Sequence, residues 1–322
     1  MMKNIGFIFA GSGCQYPGMG RDLAQTSAPF SRALHECAEI LDPWLPRPLL
    51  ETVLHKGDET VLRTIEFMTA GIFSLQFALT QHWMDLGVRP MAVLTHSMGS
   101  YAAACASGAI NLEEACALIK ARCSIVPLRE KPGGMALIET EANVVATMIE
   151  KLALQVEIAA VNTDNWTTCA GEKSHLSALV SRAAASGIRA KVHPISHAFH
   201  SSFMDAVLPP YAAASQKIGD RTPHIAFYTT TRSNRVELLD SDFWCEQIRG
   251  AMNFETAYIP FSSCGQQINL EIGPSDPFCR FAKCASEKHR LGDQNLASLS
   301  EHDPMVTRQA ECLILKRNND DA

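Results

Sequence analysis

One serine near the first third of the chain is the leading candidate for covalent chemistry. Ser97 stands in "LTHSMGSY", after the apolar run Met91 to Leu94 and before the small, helix-compatible residues "YAAACASGAI". A strand, a sharp turn and a helix make up the nucleophile elbow, whose usual pattern is G-x-S-x-G. Thr95 stands where that pattern has its first glycine. The context predicts a reactive serine, provided that the chain also supplies a base.

The base must come from another part of the chain, because a serine hydroxyl is a weak nucleophile until its proton is removed. The chain has eleven histidines, and several of them fall in helix-like stretches where a packed or solvated histidine is the ordinary case. The cluster "HPISHAFHSSFMD" differs, since it lies where two structural units meet and a cleft commonly forms. His200 opens the helix-like end of this cluster.

The elements that must position these residues alternate between strands and helices. Apolar strand-like runs include Ile5 to Phe9, "HIAFYTT" and "INLEIGP", and helical spacing marks "AGIFSLQFALTQHWMDLG" and "SDFWCEQIRG". Such alternation predicts a mostly parallel sheet with chemistry at the carboxyl ends of its strands. Ser97 follows one such end, and the glycine-rich "AGSGCQYPGMG" follows another.

The segment 132–196 has a different rhythm, which predicts a small inserted subdomain. Strand-like and helix-like stretches follow one another there in the order βαββαβ, the ferredoxin-like arrangement. The predicted domains are therefore a large α/β unit, 1–131 and 197–322, and a small unit, 132–196.

Composition narrows the classes of function. The 322 residues are 47% hydrophobic with a net charge of −6, which is ordinary globular composition without a basic footprint for nucleic acid. No apolar run has the length of a membrane span, and the amino-terminal residues lack a signal-peptide pattern. Eleven scattered cysteines without a C-x-x-C pair predict reduced thiols in a cytoplasm and no zinc site.

Seven motifs, in order along residues 5 to 283, resemble the acyltransferases that load malonyl groups onto acyl carrier protein. This family includes malonyl-CoA:acyl carrier protein S-malonyltransferase and the acyltransferase domains of polyketide synthases. The motifs are "FIFAGSGCQYPGMG", "HSMGSYAAACASGAI", "ARC" with "GGMALI", "VNTDNWTTCAGE", "HAFHSSFMD", "FWCEQI" and "LEIGP". The resemblance implies an α/β-hydrolase-like core with a parallel sheet and an inserted ferredoxin-like subdomain.

The resemblance also assigns catalytic roles by position. Ser97 is expected to carry the acyl group and His200 to act as its general base and acid, with a basic pH limb near neutrality. The backbone carbonyl of Gln247 is expected to orient His200. The backbone N–H groups of Ser12 and Met98 are expected to form the oxyanion hole.

Asp205 keeps a Ser-His-Asp arrangement open as an alternative. An aspartate in the first turns of a helix also complements the helix dipole.

The substrate side of the resemblance centres on Arg122, whose planar guanidinium suits the free carboxylate of a malonyl group. Asn162 and His197 are expected to line the acyl pocket, and Phe199 to narrow it against an α-methyl branch. The implied substrate is malonyl-CoA, the implied partner is an acyl carrier protein bearing phosphopantetheine, and no cofactor is expected beyond the coenzyme A thioester.

The sequence departs from the family pattern at four places and leaves rival functions open. Thr95 replaces Gly, Ser12 replaces Gln, Ser100 replaces Glu, and "RGAMNF" replaces a Pro-Val step. Some backbone strain or a shifted turn is expected at Thr95. These changes favour a specialised, stand-alone member for polyketide or fatty acid biosynthesis. The alternatives are transfer of another acyl group between carrier proteins, a proofreading acyl hydrolase, and a non-catalytic docking protein.

Overall fold

The computed structural model describes residues 4–55, 57, 59–129 and 132–319. The strands of this part of the chain are short, and their order along it is as follows. They are β1 (Ile5–Phe9), β2 (Pro90–Thr95), β3 (Gly134–Ile138), β4 (Val156–Thr163), β5 (Trp166–Gly171), β6 (Ala190–Val192), β7 (Ala226–Thr229), β8 (Met252–Asn253), β9 (Ile268–Ile272) and β10 (Gln294–Ala297).

The helices vary more in length, from six to twenty-one residues. They are α1 (Arg21–Thr26), α2 (Ala28–Leu41), α3 (Leu49–Leu54), α4 (Ile65–Asp85), α5 (Gly99–Ala106), α6 (Leu112–Arg129), α7 (Ala142–Lys151), α8 (Lys173–Ala185), α9 (Leu208–Ser215), α10 (Ser241–Arg249), α11 (Phe254–Ser262), α12 (Pro277–His289) and α13 (Val306–Asn319). Short 3-10 helices lie at Val61–Arg63 and Ser202–Val207.

The larger sheet is parallel, as the alternating pattern predicts. Its strand order is β10-β9-β1-β2-β7, and β1 lies in the centre between β2 and β9. Apolar side chains cover both faces of β1, whose five residues are all buried. The carboxyl ends of β1, β2, β7 and β9 therefore meet along one edge of this sheet.

Helix α4 runs through the core beneath this edge. It is apolar on nearly every face, which is the pattern of a fully buried helix rather than a surface helix. Its buried Gln76 donates through Nε2 to the carbonyl oxygens of Ala10 (2.8 Å) and Ile272 (2.9 Å). This amide ties the carboxyl ends of β1 and β9 together, just where the glycine-rich loop leaves β1.

The smaller sheet has the predicted ferredoxin-like order, extended by one strand. Its order is β6-β3-β5-β4-β8, with β3, α7, β4, β5, α8 and β6 following one another along the chain. The fifth strand, β8, lies outside 132–196 and pairs in parallel with β4 through Ala160 with Met252 and Val161 with Asn253. The segment 252–253 thus links the small sheet to the large unit.

The carboxyl-terminal part contains elements that the sequence pattern did not indicate. Strand β10 forms the edge of the large sheet, and α13 packs against it. The predicted frayed tail, 316–322, falls partly in α13 and partly outside the described residues. Among the described residues, we find no helix with the length and apolar character needed to cross a membrane.

Candidate active site

The nucleophile elbow is present between β2 and α5. Ser97 has a φ of 50°, the left-handed conformation that costs a non-glycine residue free energy and that clusters at functional sites. A Cβ atom on Gly99 would lie 2.4 Å from the carbonyl oxygen of Phe9, so only glycine fits where α5 crosses β1. The strain expected at Thr95 is therefore found at Ser97, since Thr95 keeps its ladder positions opposite Phe9 and Thr229.

Ser97 and His200 meet although 103 positions separate them in the chain. The Oγ of Ser97 lies 2.8 Å from Nε2 of His200. Both side chains are buried, with 6% and 2% of their surfaces exposed. His200 has a φ of 61°, and its backbone N–H donates to the carbonyl of Ile248 at 2.8 Å. The geometry is that of a nucleophile bonded to its base.

The carbonyl that orients His200 belongs to Gly250, so the expectation of Gln247 was wrong. Nδ1 of His200 lies 2.7 Å from the Gly250 oxygen. Because a backbone carbonyl only accepts, Nδ1 carries the proton and Nε2 is left to accept the proton of Ser97. Asp205 instead accepts from Nε of Arg249, which removes the Ser-His-Asp alternative.

The carbonyl groups at the end of α10 explain why residue 250, and not residue 247, orients His200. The last carbonyls of a helix have no partner within it and are open to other donors. The Gln247 carbonyl accepts from Arg122, the Ile248 carbonyl from the backbone of His200, and the Gly250 carbonyl from the imidazole. The negative end of the helix dipole thus faces both a guanidinium and an imidazole, and it favours positive charge on either group.

Burial keeps the free imidazole neutral. It lowers the pKa of His200 from 6.5 to about 3, against which the Gly250 hydrogen bond raises the pKa and the charge of Arg122 lowers it. The imidazole of His200 is consequently in the neutral form, with Nε2 unprotonated, throughout the neutral range. We therefore expect the pH limb set by His200 to lie below neutrality, not near it as predicted from the sequence.

Arg122 is a fully buried cation at this site. It lies on α6, and its NH1 donates to the Gln247 carbonyl at 3.2 Å. Its guanidinium carbon is 4.4 Å from the centre of the Phe199 ring, a cation–π contact. No described carboxylate forms an ion pair with it, and its Nε is buried without a hydrogen-bond partner. A buried charge without a counter-ion is costly, so this group is suited to an anion brought by a ligand.

The other predicted pocket residues lie nearby to different degrees. Phe199 is buried, and its ring centre is 5.6 Å from that of His197 and 6.5 Å from that of His200. Asn162 is buried on β4, where Nδ2 donates to Thr168 Oγ1 at 3.4 Å and Oδ1 has no recorded partner. His197 is half-buried and forms contacts of its own.

The glycine-rich loop packs against the elbow. A Cβ on Gly11 would lie 2.7 Å from the ring of His96, the neighbour of Ser97. The half-buried Ser12 follows, while Met98 is buried at the amino-terminal end of α5. Both backbone N–H groups therefore belong to segments that adjoin Ser97, as an oxyanion hole requires. The role of these two donors stays a prediction.

His193 lies against this loop and was not among the site residues predicted from the sequence. A Cβ on Gly13, which has a φ of 103°, would lie 2.7 Å from Cε1 and Nε2 of the His193 ring. The inserted subdomain thereby packs a histidine on the loop. Burial, Lys191 and Arg63 lower the pKa of His193 to about 4, so it is neutral at neutral pH. The only signal in the sequence was its place at the start of "HPISHAFH".

The comparisons with known proteins agree with this fold. Residues 6–287 match the family model of the acyl transferase domain, and the chain belongs to that family. The PKS-NRPS hybrid synthetase acdB of Aspergillus candidus is 32% identical over 284 residues, which is 85% of this chain and 11% of that protein. The chain thus spans about a tenth of the length of this curated relative.

Two solved structures share the fold. The acyltransferase domain from the second module of the salinomycin polyketide synthase is 25% identical, with a TM-score of 0.84 over 98% of this chain and 73% of that chain. A malonyl-transacylase in complex with its type II polyketide synthase acyl-carrier protein is 19% identical, with a TM-score of 0.82 over 95% and 99%.

Proposed function

We propose that this chain transfers a malonyl group from malonyl-CoA to the phosphopantetheine thiol of an acyl carrier protein, through a malonyl ester on Ser97. The observation that carries the proposal is the buried, unpaired Arg122 beside a serine–histidine pair. An acyl group without a negative charge would leave this guanidinium uncompensated. A malonyl carboxylate would pair with it through two parallel hydrogen bonds, one of them from the unpartnered Nε.

The first half-reaction acylates the serine. His200 Nε2 removes the proton of Ser97 as Oγ attacks the thioester carbonyl carbon, and the developing oxyanion is stabilised by the backbone N–H groups of Ser12 and Met98. The tetrahedral intermediate then breaks its carbon–sulfur bond. The proton held on Nε2 passes to the sulfur, which leaves as free coenzyme A.

The second half-reaction runs the same steps in reverse with a new thiol. His200 takes the proton of the phosphopantetheine thiol, whose sulfur attacks the malonyl ester carbon. The carbon–oxygen bond to Ser97 breaks, and the proton returns to Oγ. The scheme needs no metal and no cofactor beyond the coenzyme A of the substrate.

The carrier protein is proposed as the acceptor on the basis of the family. The relatives are polyketide synthases, and one neighbour of the same fold is a malonyl-transacylase bound to its carrier protein. A proofreading hydrolase for uncharged chains is less well supported because it has no use for Arg122. The same residue weighs against transfer of an uncharged acyl group between carriers.

The test is a two-substrate kinetic experiment with malonyl-CoA and a holo carrier protein. We expect parallel lines in double-reciprocal plots, the signature of a ping-pong reaction, and a carrier mass increased by one malonyl group. The matched control is the apo carrier protein, which lacks the thiol. Release of free malonate with no acylated carrier would instead show a hydrolase.

A further inference from the structure

Two of the positions that depart from the family pattern contact each other in a buried polar network. Thr95 Oγ1 lies 2.8 Å from Ser100 Oγ, and Ser100 Oγ lies 2.9 Å from Oε1 of Gln247. The three side chains have no solvent exposure. The unusual Thr95 at the end of β2 is therefore hydrogen-bonded to the unusual Ser100 on α5, and Ser100 is in turn hydrogen-bonded to Gln247 on α10.

The donor and the acceptor of each hydrogen bond in this network can be assigned in only one way. Ser100 gives its proton to Gln247, whose Oε1 can only accept, so Thr95 must donate to Ser100. Gln247 Oε1 also accepts from Thr229 at 3.1 Å, and its Nε2 donates to Thr231 at 3.1 Å and to the Phe243 carbonyl at 3.3 Å. Both ends of the amide are thus satisfied, which fixes its rotation.

Gln247 also contacts Arg122, through its own main-chain carbonyl. Gln247 lies in the last turn of α10, where its carbonyl has no partner within the helix and accepts from NH1 of Arg122 at 3.2 Å. The side chain that these hydroxyl groups hold therefore belongs to the same residue as the carbonyl that accepts from the guanidinium. No other described hydrogen bond to a protein group holds the Arg122 head.

We propose that Thr95 and Ser100 are positioning residues that aim Arg122, because they fix the Gln247 amide and with it the carbonyl that receives the guanidinium. This rests on the proposed role of Arg122 as the partner of the malonyl carboxylate. The network connects the nucleophile elbow to the carboxylate site without touching the substrate. It acts on the selectivity between charged and uncharged acyl groups rather than on the attack by Ser97.

The test compares the rates at which malonyl-CoA and acetyl-CoA acylate Ser97, followed by intact mass. Thr95→Val removes the hydroxyl at nearly constant shape, and Ser100→Ala removes one oxygen. We expect each to lower the malonyl-to-acetyl ratio about tenfold, as for the loss of one buried hydrogen bond. Thr95→Ser retains the donor and should keep the ratio. The double variant should be no worse than either single one, because the two hydroxyl groups act in series.

The control is Thr80→Val, which deletes a buried threonine hydroxyl bonded only to the Gln76 carbonyl of its own helix. It should leave the ratio unchanged. The proposal is overturned if Thr95→Val and Ser100→Ala lower the melting temperature and keep the wild-type ratio, or if they slow both acyl donors equally. If Thr95→Val does not fold, Ser100→Ala alone decides. A wild-type protein that loads acetyl as fast as malonyl would overturn the proposed function itself, which is a separate outcome.

Discussion

Arg122 and Phe199 form a fully enclosed pair in which the guanidinium carbon lies 4.4 Å from the centre of the ring. The ring belongs to the residue next to His200 and covers one face of the cation. The edge of the guanidinium carries an Nε without a described hydrogen-bond partner. This pair thus connects the segment that carries His200 to the buried cation of α6.

Replacement of Arg122 should slow the loading of charged acyl groups but not that of uncharged acyl groups. We expect Arg122→Ala to reduce malonyl loading on the order of 100-fold and to leave acetyl loading unchanged or faster, since only malonyl loses a buried charge partner. Arg122→Lys should retain only part of the malonyl activity, because an ammonium group keeps the positive charge but cannot make the bidentate contact.

The matched control is Arg189→Ala, which removes an arginine that is 85% exposed and paired with Glu139. It should change neither rate. Equal losses for malonyl and acetyl in Arg122→Ala would contradict the carboxylate role.

The pH dependence of loading should reflect the low pKa of His200. Protonated imidazole cannot accept the proton of Ser97, and burial lowers the pKa of His200 to about 3. We therefore expect kcat/KM for acetyl-CoA, which carries no titrating acyl carboxylate, to stay level from pH 8 to about pH 5 and to fall at lower pH. An acid limb centred near the ordinary histidine pKa of about 6.5 would show that the imidazole is solvated in the free enzyme.

Stability should change with pH for the same reason. Burial lowers the pKa of His96 and of His200 to about 3 in the folded chain, while the unfolded chain binds their protons below about pH 6.5. The unfolded state therefore holds more protons between these values, and the free energy of unfolding decreases as the pH falls through this window. Urea unfolding at pH 7 and pH 5 measures it. His96→Gln should reduce the difference, and an unchanged difference in that variant would count against burial as the cause.

The size of the acyl pocket should depend on Phe199. We expect Phe199→Ala to raise the ratio of methylmalonyl to malonyl loading by about tenfold or somewhat more, because one methyl group in an apolar pocket is worth about 1–3 kcal/mol. Malonyl loading itself should also fall, since the ring no longer covers Arg122. A ratio that stays at the wild-type value would show that the α-carbon lies elsewhere.

The glycine-rich loop should be required for both acyl donors. Gly13→Ala places a Cβ at a φ of 103° and within 2.7 Å of the His193 ring, so the loop backbone is strained and either the loop or the ring must move. We expect malonyl and acetyl loading to fall together. Gly187→Ala is the matched control, since its φ of 74° is also positive and a Cβ there meets nothing within 4 Å. It should cost about 1 kcal/mol of stability and leave activity intact. Normal loading by Gly13→Ala would argue against an oxyanion role for this loop.

Sequence patterns predicted the parallel sheet and the ferredoxin-like insertion because both depend on local periodicity, and the resemblance to the acyltransferase family implied that Ser97 meets His200. They did not predict Gly250 as the partner of His200, since the carbonyls of the last turn of α10 differ only by where the helix ends. Strand β8 was also missed. Two residues are too short for a pattern, and only their pairing with β4 makes them a strand.

The relationship between Thr95 and Ser100 shows a further limit of sequence. Taken separately, each was a departure from the family pattern at the elbow. The contact between them becomes visible only when α5 is folded back along β2, and it then accounts for both residues at once. A pair of side chains five residues apart across a sharp turn carries no periodic signal.

The most direct test of the account is the intact mass of the protein after brief exposure to malonyl-CoA without a carrier protein. We predict one added malonyl group in the wild-type chain, located on Ser97, none in Ser97→Ala, and its loss when a holo carrier protein is added. A malonyl adduct that persists in Ser97→Ala, or a wild-type protein that forms no adduct, would contradict the assignment of Ser97 as the malonyl-carrying nucleophile.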